Sequence, residues 1–216
     1  GTITVPAGVS SFTVTVPTTG VTDAAATEIY TLAVGAASGA GTISDDDAAP
    51  TISSVSSPTV VEGIDLVYAV TLTNASSFAT TFAYTLGGGS AAAADHGTPT
   101  FSNGVTLAAG VLTVPAGVTS FSITLPTTPD TLDESDETVP VTVGGITGTG
   151  TITDDDAPPA ISIDDVTVNE AAGTMSFTVT LSAASGLPVA VGYSTTSGTA
   201  TSGADFTAAT GSLSFA

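Results

Sequence analysis

Carboxylates are the chemically active side chains of this sequence, and they are clustered. Residues 41–50 read GTISDDDAAP, residues 150–159 read GTITDDDAPP, and residues 129–138 read PDTLDESDET. Adjacent aspartates repel one another, and the 216-residue chain sets 20 Asp and Glu against no Lys or Arg, for a formal net charge of −20. Such clusters are expected either to take up protons or to hold a hard divalent cation.

The composition narrows the choice of cation and excludes several functions. Ca²⁺ accepts about six to eight oxygen ligands in irregular geometry, whereas Mg²⁺ requires a tighter octahedron. Zinc sites use His or Cys, and the chain has no Cys and only one His, His96. Ordinary phosphate-backbone binding needs the cationic side chains that are missing here. Without Cys, Lys or Arg no catalytic constellation forms around His96, so we expect a calcium-binding protein that is not an enzyme.

Internal repeats place the acidic clusters at equivalent positions. TVPAGVSSFTVTVPTT at residues 4–19 returns as TVPAGVTSFSITLPTT at residues 113–128, an offset of 109, and the aspartate runs obey the same offset. A chain of this length suits one large domain or two of about 100 residues. We predict the back part of one repeat, one complete repeat and the front part of a third, which correspond to residues 1–49, 50–158 and 159–216.

Apolar residues alternate with polar or small ones, as expected for strands with one buried face. The alternation is clear in residues 66–72, 120–125 and 177–181, and residues 80–86 and 138–143 are further candidates. Gly, Pro and Asn separate these segments, and about seven short strands in roughly 109 residues are typical of a β-sandwich. The predicted fold class is therefore all-β, with tandem immunoglobulin-like antiparallel sandwiches.

This architecture would bring the carboxylates together. In a sandwich, alternate strand ends meet at the same end of the domain, so the loops near Glu62, near Asp95 and at residues 130–137 can converge with residues 154–156. Unpaired, the converged carboxylates would strongly destabilise the fold or would have to protonate. A bound divalent cation removes both problems.

Four motifs together resemble the Calx-beta family. They are VVEG at residues 60–63, GADF at residues 203–206, DTLDESDETVPVTV at residues 130–143 and GTITDDD at residues 150–156. The resemblance implies two-sheet calcium-binding sandwiches, as in the regulatory regions of sodium/calcium exchangers and in tandem on large bacterial surface proteins. It also implies calcium at the end where one domain joins the next. The implied ligands are Glu62, Asp95, Asp130, Glu134, Glu137, Asp154, Asp155 and Asp156.

The other two repeats depart from this pattern. In residues 21–28, VTDAAATE, Val21 stands in place of Asp130 and Ala25 in place of Glu134. A weaker site, or one with fewer ions, is expected there. The implied ligands that remain in the first repeat are Glu28, Asp45, Asp46 and Asp47, and those present in the third repeat are Glu170 and Asp205.

A mechanical function follows from calcium sites at successive joints. An ion cluster that bridges two sandwiches stiffens the linker, which predicts an extracellular, bacterial rod, stalk or filament of the adhesin type. The alternative is a ligand- or glycan-binding adhesion module of a large surface protein, although the sequence offers no aromatic or polar pocket for it. An intracellular calcium sensor is a third reading, which fits the family but not a tandem array without basic residues.

Neighbouring copies or repeats of the same protein, joined end to end, are the predicted partners. This expectation aligns residues 214–216 with residues 106–108, and Gly1 with Gly110. On that alignment the tail of one copy leads almost directly into the head of the next. Covalent continuity or strand donation would then complete a sandwich between copies.

Overall fold

The computed structural model describes residues 1–215; Ala216, the last residue of the predicted third segment, lies outside them. Within residues 1–215 the regular structure is β-strand apart from one short 3-10 helix, Glu170–Ala172. The strands are β1 Glu28–Val34, β2 Ala37–Ile43, β3 Ile52–Val55, β4 Thr59–Val61, β5 Leu66–Leu72, β6 Thr80–Leu86, β7 Thr100–Phe101, β8 Thr106–Ala108, β9 Val111–Val114, β10 Ser120–Leu125, β11 Glu137–Val143, β12 Ile146–Thr153, β13 Ile161–Ile163, β14 Val179–Leu181, β15 Val189–Ser194 and β16 Thr210–Phe215.

Strands β3 to β12 form two sheets that pack as a sandwich. One sheet has four strands in the order β3-β5-β10-β7, and the other has six in the order β4-β12-β11-β6-β9-β8. The prediction of an all-β sandwich is confirmed. The buried side chains between the sheets form one cluster, whose members are Ile52, Val55, Leu66, Tyr68, Val70, Leu72, Tyr84, Val105, Leu112, Val114, Phe121, Ile123, Leu125, Val139, Val141, Val143 and Ile152.

The period-two pattern decides which side chains enter this core. In β5, Leu66, Tyr68 and Val70 are fully buried, whereas Val67 on the opposite face is 47% exposed. The Tyr68 hydroxyl crosses the core and donates a 2.6 Å hydrogen bond to the Val139 carbonyl on the other sheet. Burial raises the pKa of Tyr68 to about 12, so the hydroxyl keeps its proton and this bond at neutral pH. The bond ties the two sheets together near the end where β12 terminates.

A parallel strand pair positions the first predicted ligand. β4 pairs with the end of β12, with Val61 opposite Thr153, and the Glu62 amide donates to the Thr153 carbonyl at 3.1 Å. Glu62 therefore lies beside the start of the aspartate run. The chain then turns at Gly63, whose φ of 77° is accessible to glycine at little cost. This turn explains why glycine follows glutamate in the VVEG motif.

The segments on either side of the sandwich form separate small sheets. β1 pairs with β2, β13 with β14, and β15 with β16. Their apolar side chains remain accessible, with Phe12 49%, Ile29 73% and Phe177 51% exposed. Residues 4–19 contain no strand, although nearly the same sequence at residues 113–128 contributes to β9 and β10. Residues 113–128 lie against a second sheet that buries their apolar side chains, and residues 4–19 have no such partner.

The expected alignment of residues 214–216 with residues 106–108 is wrong. β16 pairs with β15, with Leu213 opposite Val191, as β9 pairs with β6, with Leu112 opposite Phe82. β16 is thus the counterpart of β9, whereas residues 106–108 form β8. The discrepancy arises because the connection from Asp205 to Gly211 lacks the insertion that holds β7 and β8 in the complete repeat. Residues 1–5 and 211–215 align with the same strand, so the proposed direct continuation of the tail into the head loses its basis.

Within residues 1–215 we find no helix with the length and apolar character needed to span a bilayer.

Candidate metal centre

The eight predicted ligands of the complete repeat lie at one end of the sandwich, which we call the acidic end. Glu62 follows β4, Asp95 lies in the connection from β6 to β7, and residues 154–156 follow β12 directly. The remaining three belong to residues 129–137, here called the acidic loop, which connects β10 with β11. The negative charges of the other members of this set act on Glu62, Glu134 and Glu137 at short range. The structure thus brings together Glu62, Asp95, Asp130, Glu134, Glu137, Asp154, Asp155 and Asp156.

The tightest group consists of Glu62, Asp155 and Asp156. One carboxylate oxygen from each lies within 4.8 Å of the others. Glu62 Oε1 and Asp156 Oδ2 are enclosed by protein and accept no N–H or O–H from residues 1–215. A carboxylate oxygen enclosed without a donor is costly. A shared proton, a bound water or a bound cation could satisfy these oxygens, and of the three only a divalent cation also neutralises both charges.

Three carboxyl groups of the acidic end have raised pKa values, and a bound cation would lower them. Burial, a proton shared with Asp95 and the neighbouring negative charges raise the pKa of Glu137 to about 7. Burial and nearby aspartates also raise the pKa of Glu62, despite a hydrogen bond from the Asp130 amide that lowers it. The pKa of Glu134 is raised by burial and then by the charges of Asp130, Asp95 and Asp154. All three groups hold protons more tightly than usual because burial and neighbouring negative charges both disfavour the ionised form.

Backbone amides orient the carboxylates of the acidic loop. The Asp130 amide donates to Glu62 Oε2 at 3.2 Å, and the Leu132 amide donates to Asp130 Oδ1 at 2.7 Å. The Asp154 amide donates to Asp136 Oδ1 at 3.3 Å. Asp136 was not among the predicted ligands. Its sequence signal was present, because it belongs to the acidic loop and Thr27 replaces it in the first repeat, where Ala25 replaces Glu134.

A small cavity lies between these side chains. Its volume is about 20 Å³, and it is lined by Glu62, Glu134, Ser135, Glu137, Ile152 and Asp154. That volume suits one ion or water molecule, since a water needs roughly 10–15 Å³ by this measure. The charged lining offers only oxygen donors, which suits Ca²⁺ and does not suit zinc. The donor set and the enclosed, unpaired oxygens therefore fit calcium.

The first repeat shows a sparser arrangement. Burial and the charges of Asp45, Asp46 and Asp23 raise the pKa of Asp47. Within residues 1–215, however, the only group of three or more candidate ligands that converge within 4.8 Å is the one around Glu62. Glu28 begins β1 and is exposed. The structure thus places Asp45, Asp46 and Asp47 near Asp23 and does not assemble them with Glu28 into such a group.

The two predicted ligands of the third repeat do not form a cluster. Glu170 is exposed at the start of the 3-10 helix. Asp205 Oδ2 accepts hydrogen bonds from the Thr201 amide at 2.8 Å and the Thr201 hydroxyl at 3.0 Å, which lower its pKa. The complete repeat places Glu62 by pairing β4 with β12, and among residues 159–215 there is no strand equivalent to β12. Glu170 therefore lacks the support that fixes Glu62.

Asp133 is a buried carboxylate that has a different environment. It is 8% exposed, and its Oδ2 accepts a 2.9 Å hydrogen bond from the Ser185 hydroxyl of the following segment. It lies in the acidic loop between Asp130 and Glu134, yet it contacts the neighbouring segment. Sequence patterning did not distinguish Asp133, because Ala24 occupies the equivalent position in the first repeat and no recurrence marks it.

Several solved structures are similar to this chain at low sequence identity. Solved structures similar to the chain include the apo form of the Calx CBD1 domain, at 20% identity and TM-score 0.38, covering 50% of this chain and 98% of that one. CBD12 from CALX1.2 is similar at 21% identity and TM-score 0.37, covering 77% and 70%. Domains 1–6 of surface layer protein SbsC are similar at 10% identity and TM-score 0.31, covering 84% and 24%.

One family model matches the chain, over its C-terminal part. No curated protein matches the chain. The model of the Calx-beta domain matches residues 154–216, which begin at the aspartate run of the acidic end. This match confirms the resemblance to the Calx-beta family over those residues.

Proposed function

We propose that the chain is a calcium-binding structural repeat protein in which Ca²⁺ occupies the acidic end of each complete sandwich. The observation that carries the proposal is the pair of enclosed oxygens, Glu62 Oε1 and Asp156 Oδ2, which have no donor among residues 1–215. They lie among carboxylates whose pKa values are raised by burial and by one another. Calcium supplies the positive charge that the side chains of the sequence do not.

The proposed ligands divide into an inner and an outer group. Glu62, Asp155 and Asp156 form the inner group, since their oxygens already converge. The outer group surrounds the adjoining cavity and the acidic loop, and it comprises Asp95, Asp130, Glu134, Glu137 and Asp154. In the flanking segments the proposed ligands are Glu28, Asp45, Asp46 and Asp47, and Glu170 and Asp205.

We further propose that calcium at this position stiffens an extended extracellular rod, with repeats at residues 1–49, 50–158 and 159–216. The proposal is supported by the position of the acidic loop, which carries ligands and also contacts the next segment through Asp133. An ion that immobilises the loop therefore immobilises the joint. Extracellular modules bind calcium with dissociation constants of roughly 10⁻⁴ to 10⁻³ M, which suits a site that is partly open to solvent.

Small-angle X-ray scattering of the full chain tests the mechanical part of this proposal. Calcium should lengthen and sharpen the long-distance part of the pair-distance distribution relative to EGTA, because it restricts the angle between segments. Magnesium at the same ionic strength is the matched control and should have a smaller effect. Identical scattering in calcium and in EGTA, under conditions where calcium is bound, would rule out stiffening.

A further inference from the structure

Each joint between successive segments contains the same serine contact. At the second joint, Asp133 and Ser185 form a parallel backbone bridge, and the Gly186 amide donates to the Asp133 carbonyl at 3.0 Å. The Ser185 hydroxyl donates to Asp133 Oδ2 and accepts from the Leu187 amide at 3.1 Å. The hydroxyl therefore shapes its own loop and holds the preceding acidic loop at the same time.

The first joint repeats these contacts 109 residues earlier. Ala24 and Ser76 form a parallel bridge, and the Ser77 amide donates to the Ala24 carbonyl at 2.9 Å. The Ser76 hydroxyl donates to the same carbonyl at 3.3 Å and accepts from the Phe78 amide at 3.1 Å. The two residues after the serine differ between the joints, Ser77 and Phe78 against Gly186 and Leu187, so the shared geometry does not depend on their side chains.

The carboxylate contact is what distinguishes the two joints. At the second joint Asp133 Oδ2 accepts from the serine of the bridge, whereas at the first joint Asp23 Oδ2 accepts from the adjacent Ser77 hydroxyl at 2.5 Å. The second joint also places Gly186 against the acidic end, since a Cβ at Gly186 would meet Glu134 Oε1 at 2.8 Å. Docking of the serine loop thus holds the residue before Glu134, a predicted calcium ligand, and places Gly186 against the Glu134 side chain.

We propose that each repeat docks on the repeat before it through one serine, which is Ser76 at the first joint and Ser185 at the second. At the second joint, Asp133 of the acidic loop is a positioning residue for the calcium ligands. The connections after β5 and after β14 are the docking surfaces, and the partner is a preceding repeat of the same kind. The docking rests on hydrogen bonds within the chain. Only its effect on calcium affinity rests on the proposed function.

Replacement of the serine has a definite chemical consequence. Ser185→Ala removes a donor to Asp133 and an acceptor for the Leu187 amide, which leaves a buried carboxylate oxygen without its partner. Asp133→Asn keeps an oxygen acceptor of the same shape and should preserve docking. Asp133→Ala should reduce the second joint to the serine–backbone contacts that Ala24 makes at the first joint, and so should weaken docking. Ser76→Ala tests the first joint in the same chain.

Distance measurements between spin labels give the test. The sequence has no cysteine, so single cysteines at the exposed positions Thr147 and Ser212 report the orientation of the third segment on the sandwich. In EGTA, Ser185→Ala should broaden the distance distribution most, Asp133→Ala should broaden it less because the contacts with the residue 133 backbone remain, and Asp133→Asn should not broaden it. Calcium affinity should fall about 10-fold in Asp133→Ala, the size expected when an outer-shell contact is lost, and recover in Asp133→Asn.

The outcomes separate this inference from the proposed function. Broadened distances in a chain that binds no calcium would support the serine docking and refute the calcium proposal. Normal calcium binding with unchanged distances in both Ser185→Ala and Asp133→Ala would refute the docking and leave the calcium proposal standing. Equal broadening in Asp133→Asn and Asp133→Ala would refute the role assigned to the Asp133 acceptor. Thermal melting of each variant in EGTA verifies that the sandwich remains folded.

Discussion

The carboxylates of Glu62 and Asp156 converge beyond the end of the β4–β12 pairing. Each residue contributes an oxygen to the group that converges within 4.8 Å, and each retains an oxygen without a donor among residues 1–215. Two like charges so placed repel each other, which destabilises the metal-free fold. The same arrangement is favourable once a divalent cation lies between them.

Glu62→Gln should therefore have opposite effects in the two states. In EGTA the variant should be more stable than the parent, because it removes one charge and adds an amide donor near Asp156. In calcium it should bind about tenfold more weakly, which corresponds to roughly 1.4 kcal/mol. Isothermal titration calorimetry and urea unfolding measure the two effects. Asp165→Asn, an exposed carboxylate outside the acidic end, is the control and should change neither.

The raised pKa of Glu137 predicts the pH dependence of the metal-free protein. Its pKa rises from the ordinary glutamate value of 4.5 to about 7 in the fold, so between these values the folded state binds more protons than the unfolded state. Stability from this group is fully present below pH 4.5 and is lost as the pH rises through about 7. In EGTA the free energy of unfolding should thus fall from about pH 5 to about pH 8. This range covers most of the interval between the unfolded and the folded pKa of Glu137.

Saturating calcium should abolish or invert this trend, because the cation favours the ionised carboxylates. Urea unfolding as a function of pH, with and without calcium, gives both curves. A metal-free stability that rises over this range would contradict the assignment of Glu137 to a buried, cation-free cluster. Glu137→Gln should flatten the curve measured in EGTA.

The two aspartate runs should differ in calcium binding. Asp155 belongs to a group that already converges with Glu62 and Asp156, whereas Asp46 has no such group around it in residues 1–215. Asp155→Asn should therefore lower the amount of bound calcium measured by native mass spectrometry, and Asp46→Asn should change it much less. Equal losses in the two variants would show that the two joints are equivalent sites.

Tyr68→Phe separates stability from calcium binding. The substitution removes the buried 2.6 Å hydrogen bond to the Val139 carbonyl and leaves the ring in the core. It should cost about 1–3 kcal/mol, because the carbonyl loses its extra donor in a buried position. Calcium affinity should be unchanged, since the bond involves none of the carboxylates. A loss of affinity comparable to that of Glu62→Gln would indicate that calcium responds to general destabilisation.

Much of the sandwich was predictable because its strands alternate strictly and have partners within the chain. Residues 80–86 were predicted as a strand and form β6, and the alternation in residues 66–72 defines β5. The convergence of Glu62 with residues 154–156 followed from the general rule that alternate strand ends share one end of a sandwich. Local pattern and tertiary structure agree in this part of the chain.

Other features depend on contacts that local sequence does not encode. Residues 4–19 and 113–128 are nearly identical, but only the latter lie against a second sheet, and only they contribute strands. The register of β16 depended on a deletion after Asp205 that repeat matching placed incorrectly. Asp133 has no counterpart in the first repeat, so its contact with Ser185 could be found only from the fold.

Thermal unfolding of the full chain in calcium and in EGTA tests the central claim most directly. Ligand that binds only the folded state adds about 2.7 kcal/mol at a hundredfold excess over the dissociation constant. For a sandwich of about 100 residues, the approximate size of the complete repeat, that corresponds to a rise in Tm of roughly 10–20 °C. We expect a rise of this order in millimolar calcium, a much smaller one in magnesium, and its loss in Glu62→Gln. Superimposable melting curves in calcium and in EGTA would contradict the account.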